Sequence, residues 1–473
     1  MRPTRSVVVA TMLSLSLALT VTCASVQLSN HSGIRIFVYP IADSFGNSFA
    51  ELNPLCDPHA AEYSWHRMYT TEVLVFEALR ESPMLTLDAS QANLFFVPVF
   101  PSCHLHTSIP VDADGLPPKK ALNFTATSEY LGDVLRTVRE NYPYFNASNG
   151  ADHFMMLTHD IGRGLLGDRR SDFGRMFFLT HTGDTVPRPE HYGQYIRLYD
   201  NDETFAQTLG HPCFEAEQDI VIPPYTGIQV IGSAHHCNEG DFSSCPALPP
   251  RSQLLVDSPI TGDNNAEGAR SLLFAAPPKE AYPRRKLASF RGSVSSSADD
   301  IHSFGTRQRL LERQKSAQPF KSVFVHPAVP GGDPSRSLPY RKAYFLDMLM
   351  STFCLCLPGF APWTARLYEA VLFGCIPVVV ESQAAELPFA RSPFNADGIL
   401  WVEDILVVVG HDDVDTRLED MLKELSTEEI ERRQRNMLSV RDKLWYSHGW
   451  SDGALAEIMS QLRTRIVSQH SAQ

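Results

Sequence analysis

Residues Leu357–Val380 read LPGFAPWTARLYEAVLFGCIPVVV, and this stretch decides the architecture. An apolar run, Phe353–Leu357, reads as a strand that ends at the Pro358-Gly359 turn. Arg366 to Phe373 reads as a helix that passes through Gly374-Cys375 into Ile376–Val380. That last run is continuous, apolar and β-branched, as in a parallel strand buried on both faces. Strand, turn, helix and strand form one βαβ unit, which places the chain in the α/β class.

The same alternation extends in both directions. Ile34–Tyr39, Leu94–Val99, His153–Thr158 and Asp219–Ile222 read as strands upstream, with helices marked by Tyr69, Val73, Phe76 and Leu79 and by Leu131, Val134, Leu135 and Val138. Residues 227–283 shift to Pro, Gly, Ser and polar side chains and read as an irregular connection. Lys286–Phe290 and Ser322–His326 resume the strands, helices are expected over Gln308–Gln314 and Tyr340–Ser351, and Ser426 with Glu429 makes a capping box for a helix from Thr427. The resulting division is 1–29 as a signal segment, 30–226 and 284–460 as two lobes joined by 227–283, and 461–473 as a tail.

The chain has 473 residues, with 41 Lys+Arg against 54 Asp+Glu and a formal charge of −13. A surface so poor in cations argues against nucleic acid as a partner. A hydrophobic fraction of 43% is enough for a large core and excludes a disordered chain. Ser6–Val26 carries no charged side chain and follows Arg2 and Arg5, the order of a secretory signal or signal anchor. Length favours a span and the Ser and Thr content weakens it, so the anchor of a type II membrane protein and the cleaved signal of a soluble or secreted lumenal protein both remain open. Eight cysteines follow Cys23, in a compartment that permits disulfides. Cys237 and Cys245 bracket a short polar loop and are the first pair expected, whereas Cys354 and Cys375 lie in apolar runs and read equally well as small buried hydrophobes. Sequons stand at Asn30, Asn123 and Asn146.

A strand, a glycine-containing loop and a helix N-terminus gather backbone N–H groups and the positive end of the helix dipole, a ready site for phosphate. Arg366 in the first turn can add a charged fork, and Glu369 three residues on can accept sugar hydroxyls. The competing reading makes them an ordinary i,i+3 surface pair. For a general base, His159-Asp160 leads because it ends a buried strand, and strand C-termini in open α/β sheets face the ligand crevice. The rival reading for Asp160 is a structural carboxylate; His104, His106 and Glu72 are weaker candidates. Asp112-Ala113-Asp114 has a metal-binding spelling but sits in a Pro- and Gly-rich stretch, and no metal or cofactor is expected. Gly162-Arg163-Gly164-Leu165-Leu166-Gly167 spells a dinucleotide fingerprint that would make the protein an oxidoreductase, yet no long apolar helix follows, and it reads as a flexible cleft loop.

The chain resembles the exostosin family of glycosyltransferases. The resemblance is carried by Phe353-Cys354-Leu355, Pro358-Gly359, Arg366-Leu367-Tyr368-Glu369-Ala370, Gly374-Cys375-Ile376-Pro377-Val378 and Leu387-Pro388-Phe389. It extends to LFFVP at 94–98, Asp152-His153-Phe154, His159-Asp160 with Gly162, DIVIPP at 219–224 and Ser289-Phe290-Arg291-Gly292, in the family's order. It implies the GT-B architecture, two Rossmann-like lobes facing across a cleft, and an inverting, metal-independent transfer from a nucleotide sugar, expected to be UDP-linked, to a glycan. Arg291, Gly359, Thr364, Arg366 and Glu369 would hold the nucleotide sugar, with Asp160 and His159 in the catalytic position. Thr364 replaces the usual Ser, and Glu381 lies where relatives often carry Asp. The alternative is a non-catalytic member that binds glycans or stabilises a partner transferase, and homo- or hetero-oligomers are compatible with either.

Overall fold

The computed structural model describes residues 33–41, 65–107, 122–200, 202–226, 284–294, 302–327, 338–383, 387–388, 398–446, 450 and 453–471. Two five-stranded parallel sheets organise them. The first contains β1 (Ile36–Val38), β2 (Leu94–Phe96), β3 (His153–Leu157), β4 (Phe177–Thr180) and β5 (Ile220–Val221), paired in sequence order. The second contains β6 (Lys286–Gly292), β7 (Val323–Pro327), β8 (Ser351–Leu355), β9 (Ile376–Val380) and β10 (Val407–Val409), in the order β10-β9-β8-β6-β7.

The central strands are mostly apolar because helices cover the sheets: β2, β3, β4 and β9 are buried at every residue, whereas β6 and β7 carry polar or charged residues and are partly exposed. The helices used below are α1 (Thr71–Arg80), α2 (Pro101–Thr107), α3 (Phe124–Asn141), α4 (Pro189–Tyr199), α5 (Thr306–Lys315), α6 (Leu338–Met350), α7 (Ala365–Leu372), α8 (Thr427–Val440) and α9 (Gly453–Ser471). α7 starts at the N-cap Thr364 and stops at Gly374, whose φ of 67° only glycine adopts without strain.

Strand order in the second sheet reverses at β6. The chain leaves β6 towards β7 and then returns across it to β8, so loops at the carboxyl ends of β6 and β8 diverge and open a crevice. Arg291 and Gly292 end β6, and Pro358-Gly359 follows β8, so the stretch that decides the fold also lines this crevice. Among the described strands the first sheet has no such reversal.

The lobes are tied by late elements. The Tyr446 hydroxyl donates to the Pro223 carbonyl (2.7 Å) and the Trp450 indole N–H to that of Ala78 (3.0 Å). Arg465, on α9, donates to the Gln218 carbonyl (2.5 Å) and lies 4.1 Å from the centre of the Phe177 ring. α9 runs unbroken across the boundary between 460 and 461, where the sequence reading ended the lobe and began a tail. The Cys237–Cys245 pair, Asn30, the 112–114 acidic triplet and the N-terminal apolar segment fall outside the described residues. Among the described residues no helix is long and apolar enough to cross a membrane.

Candidate active site

At the crevice the Arg366 side chain does not point to solvent. Its Nη2 donates to the Arg291 carbonyl (2.6 Å), and its guanidinium lies 4.8 Å from the Phe290 ring centre and 5.5 Å from that of Tyr344. Gly292 makes room for this, since a Cβ there would come within 2.6 Å of Nη2. Arg291 is held through its Nε by Asp347 (2.7 Å), which also pairs with Lys286 (2.6 Å).

Glu369 is only 3% exposed, which excludes a surface pair with Arg366. The Tyr344 hydroxyl donates to its Oε2 at 2.5 Å. Burial pushes its carboxyl up to about 7, against the opposing pull of Tyr344 and Arg366. Arg366 and Glu369 are thus brought together, beside Arg291, at the switch point. The amide cradle is less open than the spacing suggested. The Arg366 N–H turns to the Thr364 hydroxyl (3.4 Å) and that of Leu367 to the Thr364 carbonyl (3.2 Å), because a threonine N-cap competes for the first-turn donors. The Gly359 N–H closes its own turn onto the Trp363 carbonyl (3.3 Å), and its carbonyl accepts from Ser303 N–H (2.7 Å). Glu381 is exposed just beyond β9.

The first lobe presents the carboxyl ends of β3 and β4 to the same loop. His159 is fully buried; its Nδ1 accepts from the Ile161 N–H (3.4 Å), its Nε2 faces the Tyr195 hydroxyl (3.3 Å), and it stacks on Tyr69 at 5.5 Å. Burial holds its imidazole well below the usual pKa. Asp160 is also buried but keeps 8% exposure, against none for His159. Burial raises its carboxyl to about 6, with Tyr69 and the neighbouring Trp363 indole pulling it partly down, although the indole N–H closes no hydrogen bond among the described residues. Trp363 also packs against His181 (5.2 Å), at the end of β4. Nearby, Tyr195 meets Phe360 at 5.0 Å, His191 Nε2–H donates to the Phe360 carbonyl (2.5 Å), and the His191 ring stacks on Phe304 at 4.1 Å. The lobes therefore meet at the loop that carries Arg366.

The weaker base candidates have structural surroundings. Glu72 is fully buried and accepts from Ser102 N–H (3.1 Å), Ser102 Oγ (2.7 Å), Thr158 N–H (3.2 Å) and Thr158 Oγ1 (2.8 Å), clamping α1 to α2 and β3. His106 pairs with the Ser102 carbonyl (2.6 Å), and His104 stacks on Tyr130 (4.3 Å).

Two expectations are corrected. The glycine-rich segment is no flexible cleft loop: Gly162–Phe173 forms tight 3-10 turns, and residues 162–167 are buried. Its amides are spent, Gly162 N–H on the His159 carbonyl (2.8 Å) and Arg163 N–H on that of Cys213 (2.9 Å), while the Arg163 side chain pairs with Asp219 (2.6 Å). With Gly164 N–H on the Ile161 carbonyl (2.7 Å), the first three amides of the segment are not free to cradle a dinucleotide. Cys354 and Cys375 are not small hydrophobes but a disulfide joining β8 to the start of β9; the parallel register sets Phe353 opposite Ile376 and brings the thiols together. Cys103 is also disulfide-bonded. Asn123 and Asn146 are exposed, and Asn123 caps α3 through its carbonyl oxygen, which leaves its amide nitrogen outward of that bond.

Tyr344, Trp363, His181 and Asp347 were not foreseen. Tyr344 and Asp347 stand one turn apart as polar residues in a mostly apolar helix before the Phe353–Leu355 strand, a signal that was present. Trp363, a large aromatic in a Pro- and Gly-rich turn, was another.

A charged fork and a buried carboxylate at a strand-order reversal, met by an acidic side chain of the first lobe, suit a nucleotide-dependent group-transfer enzyme. The profile described as Exostosin GT47 domain matches residues 30–236 and 259–393, and the chain belongs to that glycosyltransferase family. It is 27% identical over 406 residues to a probable beta-1,4-xylosyltransferase of Arabidopsis thaliana, covering 85% of this chain and 74% of the relative. A probable glucuronoxylan glucuronosyltransferase of Arabidopsis thaliana is 25% identical over 409 residues, covering 86% and 67%. Among solved structures, an alpha,alpha-trehalose 6-phosphate synthase from Burkholderia multivorans aligns at a TM-score of 0.34 and 12% identity over 93% of this chain and 97% of its own. At that distance the architecture rests on the strand order described above.

Proposed function

We propose that this glycosyltransferase binds a UDP-linked sugar at the β6–β8 crevice and moves the sugar, with inversion, to a glycan hydroxyl held by the first lobe, in the GT-B manner. The observation that carries it is the Arg366, Glu369 and Arg291 group at the switch point, facing Asp160 across the Trp363 loop. Arg366, Arg291 and the positive end of α7 offset the charge that develops on the departing diphosphate. Glu369 accepts donor hydroxyls. Asp160, deprotonated above about 6, takes the acceptor's proton, and His159 packs beneath it. No metal is required for this distribution of charge, and the lumen of the Golgi, reached by the N-terminal apolar segment, is the compartment that suits it.

The test is a hydrolysis and transfer screen of UDP- and GDP-sugars with purified protein. One UDP-sugar is expected to turn over, undiminished by excess chelator. Glu369→Gln and Arg366→Ala should each cut turnover by roughly two orders of magnitude or more, with the thermal midpoint nearly unchanged. Asp160→Asn should lower kcat while donor affinity survives. Nucleotide binding without turnover of any sugar would favour the glycan-binding reading, and dependence on added manganese would exclude the metal-free one.

A further inference from the structure

We propose that Tyr344 is a positioning residue for the donor, holding Glu369 and Arg366 in the arrangement that receives a nucleotide sugar. The inference rests on the assignment of the β6–β8 crevice to the donor. Tyr344 lies on α6, which crosses β6, and reaches both donor-site residues of α7 at once. Its hydroxyl donates to Glu369 Oε2, and its ring lies under the Arg366 guanidinium, which has Phe290 as a second aromatic neighbour. Among the described residues Glu369 Oε1 carries no hydrogen bond, so the phenol fixes one carboxylate oxygen and orients the other. A buried carboxylate that must accept sugar hydroxyls needs such a donor, because without it the side chain protonates or turns.

The groups facing Glu369 are Tyr344 from α6, Arg366 from its own helix and the Cys356 thiol beyond β8, which burial raises to about 12 and keeps neutral. Tyr344 and Arg366 pull the carboxyl down and burial pushes it up. Loss of the phenol therefore leaves Glu369 protonated to higher pH, and donor binding should weaken over that range.

Tyr344→Phe separates the two contacts, since it keeps the ring under Arg366 and removes the hydroxyl. UDP affinity, measured by calorimetry, is expected to stay within about twofold of wild type. The donor KM should rise about tenfold with kcat little changed, as for one lost charged hydrogen bond, and the acid limb of its pH dependence should move upward. A structural role alone would lower the thermal midpoint without moving that limb. If Tyr344→Phe fails to fold, Tyr344→Met, which removes the hydroxyl and the ring under Arg366 together, is read by the same KM and pH criteria, with UDP affinity then expected to fall as well. Wild-type UDP binding together with an unchanged KM and pH dependence in the variant overturns the role of Tyr344. Failure of the wild type to bind UDP instead overturns the donor site itself.

Discussion

Gly292 shows how a residue without a side chain can set a site. The guanidinium of Arg366 occupies the space where a Cβ would stand, and Phe290 lies 3.1 Å from the same point. Because the nearest obstacle is the far end of a flexible side chain, Gly292→Ala should cost the fold little and the site much. Roughly tenfold or greater loss of UDP affinity is expected, with the thermal midpoint within a few degrees of wild type; equal loss of both would show that Gly292 serves packing alone. Arg366 and Glu369 were legible in the sequence as a pair because helical spacing puts them on one face. Their environment was not, because spacing within α7 says nothing of Tyr344 on α6 or of the Thr364 hydroxyl that claims the first amides. The same limit explains Glu429: Ser426 caps α8 as read, accepting from the Glu429 N–H (3.3 Å), but the Glu429 carboxylate pairs with Arg432 (2.8 Å) instead of closing the box.

At the level of elements, strands were readable wherever a run was apolar and bounded by turns, as at His153–Leu157 and Ile376–Val380. β4 and β10 were missed although Phe177–Thr180 and Val407–Val409 carry the same signal. One hides behind the glycine-rich spelling and the other between acidic residues, so the eye goes to their flanks. The Cys354–Cys375 bond was missed for a different reason: it depends on register between two strands 21 residues apart, which local pattern does not contain. That bond closes a loop around the Pro358-Gly359 turn and α7. By chain entropy, replacing both cysteines with alanine should cost about 3 kcal/mol of stability, measured by denaturant unfolding against wild type. The expected order of loss is donor binding first, as α7 loosens, with the first sheet retained longer.

For the whole molecule, the relevant link is Trp363, which belongs to the second lobe and faces Asp160 of the first. Its indole pulls the Asp160 carboxyl partly down, so Trp363→Phe should raise the pKa of that carboxyl above about 6. A base works only when deprotonated; activity is lost as pH falls through its pKa, and a higher pKa moves the loss to higher pH. Turnover at pH 6 should therefore drop roughly threefold to tenfold, with much of it recovered at pH 8; a uniform loss at both would assign Trp363 to packing instead. This tie between lobes could not be read in advance, because nothing in either half of the sequence refers to the other.

The carbonyls of Ala78, Pro223 and Gln218 are met by Trp450, Tyr446 and Arg465, at sequence separations of 372, 223 and 247 residues. During synthesis the first sheet thus leaves the ribosome well before the side chains that finish it exist. Its last polar groups stay hydrated, and its apolar flank stays exposed, until residues 446–465 are made and can return across the molecule. Closure of that flank is therefore a late step, open only once the C-terminal residues have been made.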